Sequence, residues 1–482
     1  MAIGADTIKF GTDGFRGIIA DNFTFHNVDR ITKAIAAYIL KTSGLKTVLI
    51  GYDPRFMADK FAEFSAEILK DFGFKVLLSS HVVPTPTLAY AAMTEPDCAG
   101  AVMFTASHNP KEYLGIKFIP NYGGPATKEI TDKIVSLIDT DIKNPADING
   151  EIIKKDFKDE YFCHLEKLIN FTIIKDTVQK GSVKFIYDGL YSASIGYFDE
   201  ILKREGINFE GVNLYHDPNF GGNLPEPKPK FMKHKKTGYL TFANDGDADR
   251  YGVIDETGEY ISPNIIMAIL LKYLVSCGHK GKMIKTVGVS EIIDIVSKKL
   301  NIETITTPVG FKWLSDEMRK NETILAGEDS GGLSIGCHIP EKDGIFANLL
   351  ILEAVCALKK PLCELKKEII NFAGKEFFQD RVDVKLKSND EKTLMMEKFC
   401  KFNDIAGFKI KDTLKIDGVK FFLSSDVSCA DTCNSACNDD IGQNIGWILI
   451  RESGTEPLLR FYIETDTIQN LDKIKDFVNK NV

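Results

Sequence analysis

What this chain lacks narrows its function early. No stretch of 18 apolar residues occurs in its 482 residues, so no membrane-crossing helix is expected. The opening Met1-Ala-Ile-Gly-Ala-Asp6 has no basic region followed by an apolar run, and a cytoplasmic location is expected. There is no basic excess either: 60 Lys and Arg stand against 68 Asp and Glu, a net charge of −8. That balance argues against nucleic acid or an anionic membrane as partner, so a phosphorylated ligand must be held by local basic and glycine-rich sites. Cys429, Cys433 and Cys437 have a four-residue spacing that invites a metal-cluster reading, but no fourth ligand or histidine lies nearby. The Ser, Asp and Asn around them read as an exposed insertion over 424–446. The other cysteines, at 98, 163, 277, 337, 356, 363 and 400, are scattered as reduced residues would be.

The composition present is 44% hydrophobic and 27% charged, ordinary for a soluble globular enzyme. The length exceeds what one core covers, and domains of ~100–150 residues imply three or four. The order strand, loop, helix, Gly or Asn, strand occurs three times. It runs through Thr47–Asp53, Ala58–Phe72 and Lys75–Leu78; through Val183–Gly189, a helix to Arg204 and a strand near Val212–His216; and through Met283–Gly288, Ile292–Leu300 and Glu303–Thr306. This predicts three related α/β domains with mixed sheets. After about Ala373 the pattern changes. Strand-like Arg381–Leu386, Gly418–Leu423, Gly446–Ile450 and Leu458–Ile463, with helices near Glu391–Phe402 and Ile468–Val478, predict a C-terminal α+β domain with a mostly antiparallel sheet. The expected boundaries are 1–145, 146–262, 263–373 and 374–482, with Lys143-Asn-Pro-Ala-Asp147 as a linker.

Four segments carry chemistry, one per expected domain. Ala101-Val-Met-Phe-Thr-Ala-Ser-His-Asn-Pro110 puts Ser107 just past a strand, at the carboxyl edge where open α/β sheets bind ligands. Asn244-Asp-Gly-Asp-Ala-Asp-Arg250 sets Asp245, Asp247 and Asp249 at alternate positions, a pattern that would converge on a hard divalent cation. An EF-hand loop is the rival, and Glu256 stands at its twelfth position; but Arg250 occupies the sixth, where the turn needs glycine, and the flanks read as strands. Ala326-Gly-Glu-Asp-Ser-Gly-Gly332 offers Glu328 and Ser330 to sugar hydroxyls, or is only a tight turn between strands. Arg451-Glu-Ser-Gly-Thr-Glu-Pro457 offers a guanidinium, two hydroxyls and open backbone N–H groups to a phosphate. The glycine-rich Phe10–Gly17 reads as a loop presenting Arg16 to an anion. A cleft where four domains meet is the economical arrangement.

In this order the four segments resemble the α-D-phosphohexomutase family, the bacterial phosphoglucomutases and phosphomannomutases, over essentially the whole chain. Tyr122-Gly-Gly-Pro-Ala126, Thr307-Pro-Val-Gly-Phe-Lys312 and Lys342-Asp-Gly-Ile-Phe346 also match that branch. The resemblance implies a phosphoserine at Ser107 and Mg²⁺ held by Ser107, Asp245, Asp247 and Asp249. It implies a phosphoryl group passed to a hexose 1- or 6-phosphate through a bound bisphosphate such as glucose 1,6-bisphosphate. Lys117 is similar to the family's proton donor or acceptor, with His108 nearby in a catalytic or structural role. Arg16 and Arg250 would neutralise the transferring group. Lys285, Lys312, Glu328 and Ser330 would face the substrate, and Arg451, Ser453, Gly454 and Thr455 would hold the phosphate that is not reacting. Gly332 stands where several family members, phosphoglucosamine mutases included, carry histidine, which weakens glucosamine as substrate and favours glucose; Glu452 stands where proline is frequent. A phosphoglucosamine mutase, a sugar-phosphate binder without turnover and a metal-dependent phosphatase are the competing expectations.

Overall fold

A computed structural model describes residues 8, 14–140, 150–425, 444–452 and 457–482. The expected linker at 143–147, the three cysteines at 429–437 and the 453–455 part of the phosphate loop lie outside the described residues.

The first sheet contains β1 (Phe15–Ile18), β2 (Thr47–Tyr52), β3 (Lys75–Ser79), β4 (Cys98–Phe104), β5 (Tyr113–Pro120) and β6 (Glu151–Lys155), in the order β1-β5-β4-β2-β3-β6. β2 pairs in parallel with β3 and β4, while β5 is antiparallel to both β4 and β1. Every residue of β4 is buried, and in β2 all but Tyr52, because helices cover a parallel sheet on both faces and its central strands become continuous apolar runs. The helix Phe25–Thr42 starts where Thr24 accepts a hydrogen bond from the Asn27 N–H, and its Val28, Ile31 and Ile35 pack into that core.

The second sheet contains β7 (Phe185–Asp188), β8 (Glu210–Val212), β9 (Leu240–Asn244), β10 (Tyr251–Ile254) and β11 (Tyr260–Ile261), in the order β11-β10-β9-β7-β8. The third contains β12 (Lys282–Thr286), β13 (Thr304–Thr307), β14 (Thr323–Gly327) and β15 (Leu333–Ser334), in the order β13-β12-β14-β15. The three sheets therefore share one four-strand order: β5-β4-β2-β3, β10-β9-β7-β8 and β15-β14-β12-β13. In each, the connection between the antiparallel pair carries a segment singled out above: 105–112 between β4 and β5, 245–250 between β9 and β10, 328–332 between β14 and β15.

The C-terminal sheet is antiparallel throughout. It comprises β16 (Phe378–Lys385), β17 (Asp404–Ile405), β18 (Phe408–Leu414), β19 (Val419–Ser424), β20 (Asn444–Glu452) and β21 (Leu458–Thr465), ordered β16-β21-β20-β19-β18-β17. Phe399 of the helix Asn389–Cys400 and Ile474 and Val478 of Ile468–Asn481 pack on its Phe461 and Ile448. Three related mixed α/β sheets followed by an α+β module is the fold class expected from the sequence. By internal packing the chain divides into two compact units, 1–284 with 310–367 and 285–309 with 368–482.

Two local expectations need correction. Phe10–Gly17 is not wholly loop: Phe15–Ile18 forms an edge strand, the sheet position that tolerates glycine best. The strand expected near Val212–His216 ends at Val212, because Asn213 turns the chain with φ of 53° and its amide binds Asp188.

Candidate active site

β4 ends at Phe104, and the chain turns through Ser107 before returning as β5. Ser107 is 2% exposed and adopts φ of 52°, a left-handed backbone that non-glycine residues seldom hold without outside support. Its N–H donates to Thr105 Oγ1 at 2.8 Å, and the Thr105 hydroxyl donates to Asp53 Oδ2 at 2.6 Å. Its own Oγ donates to Asp245 Oδ2 at 2.9 Å and lies 3.3 Å from His108 Nδ1. The Arg250 guanidinium, burial and the Arg16 guanidinium push the His108 imidazole well below its usual range, so it is neutral at neutral pH. Arg16 Nη1 donates to Asn109 Oδ1 at 2.7 Å, which brings the β1 guanidinium to the serine loop. Lys117, opposite Met103 across the β4–β5 pair, sets its Nζ 3.4 Å from Asp247 Oδ2 and 3.9 Å from Asp249 Oδ2.

The three aspartates occupy the β9–β10 connection. Asn244 Nδ2 donates to the Arg250 carbonyl and Arg250 N to Asp245 Oδ1, each at 2.9 Å, closing the loop on itself. Gly246 is required by contact: a Cβ there would lie 2.4 Å from the Ser107 carbonyl oxygen. Thr85, at the start of the helix Thr85–Thr94, binds Asp247 twice, its N–H to the carbonyl at 3.0 Å and its hydroxyl to Oδ2 at 2.7 Å. Lys342 Nζ pairs with Asp249 Oδ2 at 2.9 Å.

One oxygen from each aspartate lies within 4.8 Å of the others, and all three residues are fully buried. Burial and the neighbouring Asp249 and Asp247 push the Asp245 carboxyl well above the usual range; burial and Asp247 raise Asp249 as well. Burial would also raise Asp247, but the Lys117 charge, the Thr85 hydroxyl, Lys342 and Arg16 outweigh it and hold that carboxyl low. Among the described residues, Asp247 Oδ1 and Asp249 Oδ1 have no hydrogen-bond partner. Buried carboxylate oxygens without partners are costly, and three oxygens converging this closely fit a hard divalent cation that keeps open positions for further oxygen ligands.

The β14–β15 connection buries Glu328, whose carboxyl burial pushes up to about 6 although Lys342 and Arg250 pull it down. Beside it, the Ser330 Oγ is buried with no hydrogen-bond partner among the described residues. Lys342 also fills the space beside Gly332, where a Cβ would meet its Cδ at 2.7 Å and Glu328 Oε1 at 3.5 Å. Arg250 Nε lies 3.9 Å from Asp249 Oδ1 and likewise has no hydrogen-bond partner among them. Lys312 is the second residue of the helix Phe311–Met318, with its ammonium 5.5 Å from the Trp313 ring.

The chain matches phosphoglucomutase/phosphomannomutase family models in four segments: α/β/α domain I over residues 7–145, domain II over 159–258, domain III over 262–372 and the C-terminal domain over 441–481. It belongs to this family. A phosphoglucosamine mutase of Clostridium botulinum is 30% identical over 477 residues, 96% of each chain. The solved structure of a Thermus thermophilus protein assigned as a phosphomannomutase is 31% identical and covers 98% of each chain with a TM-score of 0.83. Paramecium pp63/parafusin, at 20% identity, shares the fold with a TM-score of 0.78 over 99% of this chain and 94% of its own. Membership carries the family's activity at its general level, hexose phosphate mutase.

Within this phosphohexomutase the structure thus gathers Ser107, His108, Arg16, Lys117 and the three aspartates. Two further expected residues are held differently. Lys285 is buried on β12, its ammonium 2.5 Å from Asp294 Oδ2, and Arg451 is gripped by Asp417, with Nε at 2.9 Å and Nη2 at 2.8 Å from Oδ2. The sequence reading missed Asp53, Arg55, Thr85 and Lys342. Asp53-Pro-Arg55 did carry a signal, a charged pair at the end of an apolar strand. Thr85 carried none, and Lys342 stood out only by its motif.

Proposed function

We propose that the chain interconverts hexose 1-phosphate and hexose 6-phosphate, with glucose or mannose as the sugar, through a phosphoserine at Ser107. The P–O bond to Ser107 breaks as one forms to the free sugar hydroxyl, leaving a bound bisphosphate such as glucose 1,6-bisphosphate. The sugar reorients, and its other phosphate returns to Ser107. What carries this reading is the 2.9 Å hydrogen bond between Ser107 Oγ and Asp245 at the edge of three convergent carboxylates. Ser107, Asp245, Asp247 and Asp249 would hold Mg²⁺, which supplies charge neutralisation for the transferring phosphoryl group.

The protein's own side chains supply the rest. Lys117 gives or takes the proton at the sugar oxygen, and Arg16 and Arg250 add positive charge beside the serine. Glu328 and Ser330 bind sugar hydroxyls; Lys285, Lys312, Arg451, Ser453, Gly454 and Thr455 serve the substrate's phosphate. The neutral imidazole of His108 orients Ser107 Oγ rather than neutralising charge.

A glucosamine substrate is the second reading, favoured by the relative from Clostridium botulinum. Against it stands Lys342, whose ammonium shares the surroundings of Glu328 and would repel a protonated sugar amine. Assays on glucose, mannose and glucosamine 1-phosphates with Mg²⁺ and bisphosphate primer, with intact-mass analysis of Ser107, test the proposal. Equal turnover without a phosphorylated serine would sink it. Sustained release of free phosphate would mean a phosphatase, and binding without turnover a silent sugar-phosphate receptor.

A further inference from the structure

Asp53 and Arg55 take no part in the chemistry above, yet the serine loop is built around them. Both side chains are fully buried, at the end of β2. A guanidinium has five N–H donors in one plane, and Arg55 uses all five. Nε donates to Asp53 Oδ2 at 3.1 Å; Nη1 donates to the carbonyls of Pro110 at 2.8 Å and Tyr113 at 3.0 Å; Nη2 donates to those of Ser107 at 2.6 Å and Asn109 at 2.7 Å. The Phe220 ring covers the guanidinium at 5.0 Å, and the Arg55 N–H donates to Asp53 Oδ1 at 3.0 Å.

Four carbonyls of one short loop thus converge on a single cation. The two peptide groups flanking Ser107 end on the same pair: its carbonyl on Arg55, and its N–H on Asp53 by way of the Thr105 hydroxyl. This over-determination is what a left-handed serine needs, since the conformation persists only when its surroundings fix it.

We propose that the Asp53–Arg55 pair is the positioning element of phosphoryl transfer, in which Arg55 sets the shape of the 105–113 loop and thereby the bearing of Ser107 Oγ toward Asp245. The proposal rests on the phosphoserine reading for its kinetic consequence but not for its structural one. Lysine cannot substitute, because a compact ammonium has three donors and no planar fork.

Arg55→Lys is the test, read by steady-state kinetics and by hydrogen exchange of the intact protein. Misplacing a reacting atom by about an ångström costs on the order of 10²-fold, so kcat should fall by ~100-fold with KM for hexose 1-phosphate changed less than ~3-fold. Exchange should quicken across 105–113 and stay unchanged across 323–334. In Arg55→Ala, added guanidinium ion should restore part of kcat where ammonium does not. A kcat within ~3-fold of wild type, a raised KM with kcat kept, or unchanged exchange at 105–113 would each overturn the proposal. If Arg55→Lys fails to fold, Asp53→Asn decides: faster exchange at 105–113 with at least ~10-fold lower kcat supports the proposal, and neither change refutes it. If wild type has no mutase activity, the phosphoserine reading falls while the exchange measurement still decides the role of Arg55.

Discussion

Ser107 and Asp245 stand 138 positions apart in the chain and share a 2.9 Å hydrogen bond, the serine hydroxyl donating to Oδ2. Each lies in the connection that follows a central strand of its sheet, β4 in one and β9 in the other. The same strand order twice over sets a serine hydroxyl from one sheet against an aspartate from the next.

Ser107→Ala removes the oxygen that would carry phosphate. The expected loss is at least ~10³-fold in kcat, with no phosphoryl group gained on incubation with glucose 1,6-bisphosphate. Activity near wild type would transfer the role elsewhere.

Divalent cation should stabilise as well as activate. Three buried carboxylates, two of whose oxygens have no hydrogen-bond partner among the described residues, repel one another, so chelation should abolish turnover and lower Tm, both restored by Mg²⁺. At 100 times Kd the gain is about 2.7 kcal/mol. Asp247→Asn and Asp249→Asn should each weaken the Mg²⁺-dependent shift in Tm.

Glu328 gives a pH signature. Its carboxyl rises from 4.5 to about 6 on folding, so the native state holds the proton more tightly than the unfolded chain. This contribution favours folding below pH 4.5 and is lost as pH climbs through the window from 4.5 to 6, about 2 kcal/mol in all. Glu328→Gln should therefore flatten the decline in stability across that window, measured by urea unfolding at several pH values. Parallel pH curves for the two proteins would remove Glu328 as the cause.

Lys342 should govern discrimination against an amine. Lys342→Ala is expected to raise the kcat/KM ratio of glucosamine to glucose 1-phosphate by ~10-fold, by relieving like-charge repulsion. The variant should also weaken the hold on Asp249, seen as a changed Mg²⁺ dependence. An unchanged ratio would place sugar selection in other residues.

The sequence made legible the features that repeat or cluster. Apolar runs ended by turn residues gave β2, β4, β9 and β20, and alternate aspartates gave the loop of three convergent carboxylates, because local pattern alone decides both. Arg55, Thr85 and Lys342 were not legible as site residues, since their partners Ser107, Asp247 and Asp249 lie far away in sequence and only the fold joins them. β1 departs from the loop expectation for a related reason: glycine content argues against a helix or a central strand, but the sheet edge, where β1 pairs with β5, accommodates it. The pairing of Lys285 with the nearby Asp294, one helix turn into Glu291–Lys299, was likewise not legible in the sequence.

Gly246 carries a consequence for variation. The backbone of the aspartate loop crosses the Ser107 peptide with no room for a methyl group, a Cβ meeting the carbonyl oxygen at 2.4 Å. A saturation library at 246 should therefore tolerate glycine alone, although the residue brings no functional group to the reaction. Intolerance there would report the seam between two sheets' connections, and a scan for reactive groups that ranked positions by sensitivity would count a joint as a reagent.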